Sequence, residues 1–147
     1  MDWLPDTNLL LRHMDTDHAL NPLAVEVMDR LRLRGDRFVL VPQNIYEFWN
    51  VCTRPLEKNG LGLTVSQTAI EISKLESLFP LFSDNRHVYL EWKFLVETYA
   101  VKGVQVHDAR LVAAMLTHKV THLLTFNASD FTRYAAIITV VNPHHLT

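Results

Sequence analysis

The sequence predicts an α/β domain with a mostly parallel sheet buried between helices. Three observations predict it. The strand candidates are short and continuously apolar, the pattern of a sheet covered on both faces. They alternate with segments whose apolar residues recur at helical spacing, as crossover connections require. No repeat, low-complexity tract or linker interrupts the 147 residues, so residues 1–147 read as a single domain, long enough to bury a core.

The elements follow in order. Trp3-Leu4-Pro5 is a short apolar stretch that stops at Asp6. Proline cannot donate to a central ladder, so Pro5 predicts a first strand that ends one residue early. Asn21-Pro22 predicts a helix start, with Asn as the cap and Pro at the first helical position. Leu23, Ala24, Val27, Met28 and Leu31 continue it, and Gly35 ends it. Phe38-Val39-Leu40-Val41 reads as a buried strand closed by Pro42.

A second helix runs from about Asn44 to Cys52, limited by Arg54-Pro55. Asn59-Gly60-Leu61-Gly62 is a turn. Thr64 with Gln67 forms a capping box, and Val65, Ala69, Ile72 and Leu75 continue that helix. Pro80-Leu81-Phe82 is a short strand candidate. Val88, Trp92, Leu95, Val96 and Tyr99 mark one more amphipathic helix, and Ala109, Val112, Ala113 and Leu116 another. His122 to Phe126 and Ile137 to Val141 are the last strands.

Composition narrows the function classes. Hydrophobic residues at 48% and charged residues at 20% are those of a globular domain, which argues against long disorder. A net charge of -2 argues against a protein that coats nucleic acid by bulk charge, but leaves room for bound cations. The single cysteine, Cys52, permits no internal disulfide and fits a reducing compartment. No apolar run reaches the roughly 18 residues of a membrane span, and no secretory leader is visible. The expected location is the cytoplasm.

Ligands of open α/β sheets bind outside the carboxyl ends of the strands. Asp6 follows the first strand directly. Asn127 and Asp130 follow the His122–Phe126 strand. Asp108 opens a helix, and Glu47 lies in the first turns of the helix after the second strand. Each has an ordinary reading: a turn or cap for Asp6 and Asp130, a solvated helix face for Glu47, a favourable helix start for Asp108. Their shared position at one sheet edge raises them together.

Two ionised carboxylates about 4 Å apart repel by about 4 kcal/mol at an effective dielectric near 20. A cluster therefore calls for protons or a cation. Oxygen ligands without His or Cys suit magnesium or manganese, and the eight histidines offer no zinc spacing.

At this point the residues carry a pattern. Asp6-Thr7-Asn8-Leu9-Leu10 resembles the opening motif of PIN domains. Pro42-Gln43-Asn44-Ile45-Tyr46-Glu47-Phe48-Trp49 resembles the segment with their second acid, and His107-Asp108-Ala109-Arg110-Leu111-Val112-Ala113-Ala114 the third. Leu123 to Phe131, followed by Val140-Val141-Asn142-Pro143, resembles their closing strand pair. The resemblance is collinear over nearly the whole chain and strongest to VapC-type toxins of toxin–antitoxin pairs.

The resemblance implies a three-layer α/β/α sandwich with a five-stranded parallel sheet, the first strand central. It implies a metal-dependent ribonuclease in which Asp6, Glu47 and Asp108 hold Mg2+ or Mn2+ and Asp130 completes the acidic ring. Thr125 and Asn127 would orient that loop, and Thr7 and Asn8 would support the ligands or touch phosphate. Asn127 stands where many relatives carry an acid. The implied partners are an RNA substrate, an antitoxin protein with a basic residue for the carboxylates, and a second copy in a homodimer. Arg12, Arg54 and Arg110 are the candidate phosphate contacts, with Lys58 and Lys102 behind them. Tyr46, Phe48 and Trp49 read as core or dimer interface rather than as a base-stacking platform, and spacing does not place all three on one face.

Two rivals stand beside this. One is a PIN-type fold without chemistry that serves as a partner-binding module. The other is a haloacid-dehalogenase-like phosphatase, which wants a second Asp two residues after the first; position 8 is Asn.

Overall fold

The computed structural model describes residues 1–146. Four strands form one parallel sheet: β1 (Asp2–Pro5), β2 (Arg37–Phe38), β3 (His122–Leu124) and β4 (Thr139–Val141), in the order β2-β1-β3-β4. The six helices are α1 (Thr7–Met14), α2 (Asn21–Leu33), α3 (Pro42–Thr53), α4 (Val65–Leu78), α5 (Arg86–Thr98) and α6 (Val106–Thr117).

The five strands implied by the resemblance are four. The Pro80-Leu81-Phe82 candidate makes one parallel bridge, Leu81 against Leu40, through Leu40 N–H to the Pro80 carbonyl and Phe82 N–H to the Leu40 carbonyl. The chain turns away at once: Asp84 and Asn85 follow, and Asn85 caps α5 by accepting from the His87 and Val88 N–H groups.

Side-chain alternation sorts the core into two layers. Leu4, Val39, Val41 and Leu123 pack with α5 and α6. Trp3, Phe38, Leu40 and Leu124 pack with α1, α2 and α3. Successive strand residues point to opposite faces, so a strand of apolar residues feeds both. That is the physical content of the continuously apolar strands, and it makes three layers.

Pro5 does not end β1 early; it pairs with Leu124 inside the ladder. The reason is directional. Trp3 accepts from Val39 N–H on the β2 side, so Pro5, two residues on, faces that side too. The register that sets Val39 N–H on the Trp3 carbonyl would set a residue 5 N–H on the Val39 carbonyl, so the missing donor ends the β1–β2 pairing at Trp3–Phe38 while the β3 side runs on to Pro5. The Pro5 carbonyl instead accepts from Asn44 Nδ2 at 3.0 Å.

Asn21 is not the cap of α2. Leu20 takes that position, and Asn21 Nδ2 donates to the Arg12 and His13 carbonyls at the end of α1. Gly35 ends α2 as expected, at φ 94°. The Thr64–Gln67 capping box opens α4. No helix among the described residues is long and apolar enough to cross a membrane.

Candidate active site

Asp6 sits where β1 hands over to α1. Its backbone N–H donates to the Leu124 carbonyl at 2.9 Å, which locks it to β3. Its side chain caps α1, Oδ1 accepting from Thr7 N–H at 2.8 Å. Oδ2 accepts from the Thr125 hydroxyl at 2.7 Å. Thr125 Oγ1 in turn accepts from Asn127 N–H at 3.0 Å, so the loop after β3 is tied to the first carboxylate.

Glu47 is held from its own helix. Gln43, one turn earlier, donates through Nε2 to Glu47 Oε1 at 2.6 Å and to the His107 carbonyl at 2.7 Å. One amide thus spans α3 and the start of α6. Asp108 follows His107 in the first turn of α6, and Asp130 is exposed in the one-residue-tighter helical turn after β3.

These four acids line one cleft of about 230 Å³, with Thr7, Asn8, Asn127 and Phe131 among its walls. Burial pushes the Asp6 carboxyl up to about 6, against the bonds from Thr125 and Thr7 and with help from the charges of Glu47 and Asp108. Burial also pushes Asp108 up to about 6, aided by Asp130 and Glu47 and opposed by His107 and Arg133. Asp6 and Asp108 are thus each raised in part by neighbouring carboxylates across the cleft, a repulsion that a divalent cation would relieve.

The donor set is all hard oxygen. Thr7 Oγ1 and Asn8 Oδ1 are buried beside it without a hydrogen-bond partner among the described residues. No group of three or more His, Cys, Asp or Glu among the described residues is placed to hold a metal ion as it stands. An all-oxygen donor set suits a hard cation such as magnesium, which binds through one or two carboxylates and keeps several waters.

The cationic candidates stand elsewhere. No arginine or lysine is among the residues that line the cleft. Arg12 lies in the last turn of α1. Arg54 closes α3 and donates to the Asn59 carbonyl at 3.1 Å. Arg110 pairs with Asp84 at 2.9 Å and borders the neighbouring groove. Of the aromatic trio, Phe48 is fully buried, Trp49 is half-buried and Tyr46 is exposed.

Sequence reasoning gave no role to Gln43, Asn44 or Arg133. Gln43 was recoverable, because it precedes Glu47 by four residues and so shares its helix face. Arg133 bonds Gln105 Oε1 at 2.8 Å and opposes the rise at Asp108, contacts no local pattern announces.

Fold and cleft together define an α/β/α domain with a carboxylate site at the carboxyl edge of its sheet. No family model matches the chain, and no curated protein matches it. Solved structures do. VapBC-1 from nontypeable Haemophilus influenzae matches with TM-score 0.68 at 18% identity, over 98% of this chain and 99% of that one. FitAcB from Neisseria gonorrhoeae matches with TM-score 0.68 at 19% identity, over 98% and 99%. VapC20 from Mycobacterium tuberculosis, described as a sarcin-ricin loop cleaving toxin, matches with TM-score 0.64 at 14% identity, over 93% and 96%. The chain has the PIN-like fold of these toxin structures along essentially its whole length.

Proposed function

We propose that this chain is a magnesium- or manganese-dependent endoribonuclease and the toxin of a toxin–antitoxin pair. The observation that carries the reading is the shared cleft of Asp6, Glu47, Asp108 and Asp130, at the sheet edge where open α/β folds bind ligands. Asp6, Glu47 and Asp108 would hold the cation, with Asp130 acting through water. Bound there, the cation would supply Lewis acidity toward a phosphate oxygen and a more acidic water. Asp6 or Asp130 orients the attacking water. Thr125 and Asn127 keep the loop in register with Asp6.

The toxin role is supported by the similar structures, among them the cleaving toxin VapC20 and a toxin–antitoxin complex from Klebsiella pneumoniae. The expected partner is an antitoxin that brings a basic residue to the carboxylates, and the expected assembly is a homodimer. The test is cleavage of a structured RNA with magnesium, with EDTA, and by Asp6→Asn. Cleavage that needs magnesium and falls at least about a hundredfold in Asp6→Asn is expected, as for loss of a group acting in the transition state. Undiminished cleavage by Asp6→Asn ends the proposal. A partner-docking fold without chemistry is the second reading, favoured by the lack of a preformed three-ligand group. Calorimetric titration with magnesium separates the two.

A further inference from the structure

Beside the acidic cleft lies a groove of about 500 Å³, lined by Gln43, Tyr46, Glu47, Asn50, His107 and Arg110. Glu47 borders both, so the groove adjoins the cleft. Its character differs. Tyr46 is 60% exposed, although its helix neighbours Asn44 and Phe48 are buried. Asn50, one turn further, presents an exposed amide on the same side. Arg110 already gives one of its donors to Asp84 at 2.9 Å. A paired arginine is a poor phosphate clamp, yet its flat face still stacks on rings.

We propose that this groove holds an unpaired nucleobase next to the phosphate that is cut, with the Tyr46 ring stacked on the base. The inference rests on the ribonuclease reading above and deepens it to single-stranded RNA read outside the cleft. Aromatic faces beside amide and guanidinium groups are the general means of holding unpaired bases. Because the two hollows share Glu47, an occupant of the groove lies within one residue of the acids. A nucleic acid strand fits both, its phosphate at the carboxylates and its base over Tyr46. The Gln43 amide binds Glu47 Oε1 and the His107 carbonyl, so the base site is held at a constant offset from the acids.

The test uses the full chain carrying Asp6→Asn, so that the strand stays intact, with and without Tyr46→Ala or Tyr46→Phe. The probes are fluorescein-labelled octaadenylate and the matching abasic octamer, followed by anisotropy. Octaadenylate is expected to bind at least about fivefold tighter than the abasic strand. Tyr46→Ala should erase that ratio and Tyr46→Phe should keep it. A ratio that survives Tyr46→Ala overturns the assignment. If sedimentation then shows that Tyr46→Ala breaks self-association, the ring belongs to a contact between copies. Equal binding of both strands by the parent chain, falling with salt, overturns the groove and leaves the nuclease standing. Failure to bind either strand removes both.

Discussion

Replacing Asp6 with Asn should stabilise the metal-free protein at neutral pH. In the fold, the Asp6 carboxyl rises from the ordinary 3.8 to about 6, chiefly through burial. A raised acid means that the folded chain binds more protons than the unfolded one between about pH 4 and 6. Stability therefore falls as pH climbs through that window and stays lowered above it. The rise corresponds to about 3 kcal/mol at pH 7.5. Asn can still accept from Thr7 N–H but cannot accept from the Thr125 hydroxyl as well, a loss of about 1 kcal/mol. The net expectation is a gain of about 2 kcal/mol, or roughly 4–8 °C in Tm for a domain of this size. Urea and thermal unfolding in EDTA at pH 4 and pH 7.5 read it out. The gain should be present at pH 7.5 and absent or reversed at pH 4. An Asp6→Asn protein less stable than the parent at pH 7.5 in EDTA refutes the claim that this carboxylate is held charged against the fold's preference.

Two further substitutions test the frame around the site. Asn44→Ala removes the buried amide that accepts from Val41 N–H and donates to the Pro5 carbonyl, and should cost about 2–4 kcal/mol in urea unfolding; a loss under about 1 kcal/mol would mean that water or backbone movement replaces it. Gly60→Ala places a methyl group onto the Arg54 carbonyl and should cost more than about 2 kcal/mol. Gly35→Ala, with open space around it and only its φ of 94° against it, should cost about 1 kcal/mol, and equal losses at the two glycines would refute the steric argument.

How much was legible depended on whether a feature was local. The capping box at Thr64 and the glycine stop at Gly35 depend on residues within one turn, and both stand as read. The two-sided sheet was legible because apolar runs such as Phe38 to Val41 have no polar face to turn to water. The acids share one cleft because Asp6 and Asp130 follow strands while Glu47 and Asp108 lie in early turns of α3 and α6 at the same sheet edge. The direction of a missing N–H was not legible: Pro5 shortens the pairing with β2, which it faces, and leaves the pairing with β3 intact. The length of Pro80-Leu81-Phe82 as a strand was likewise decided by the Asn85 cap that follows it. Arg110 looked promising from its distance to Asp108 along the chain, but its partner is Asp84, 26 residues away. Asn21 carried a cap's composition and was used as a tether between α1 and α2 instead.

Both rims of the sheet are brief. On one side β2 offers two residues, with Arg37 clasped to Asp2 by paired bonds of 2.9 and 2.7 Å. On the other β4 offers three. A foreign segment would find few open rungs to zip onto, and a charged clasp at one of them. The sheet therefore gives copies of this chain little invitation to stack edge to edge into fibrils.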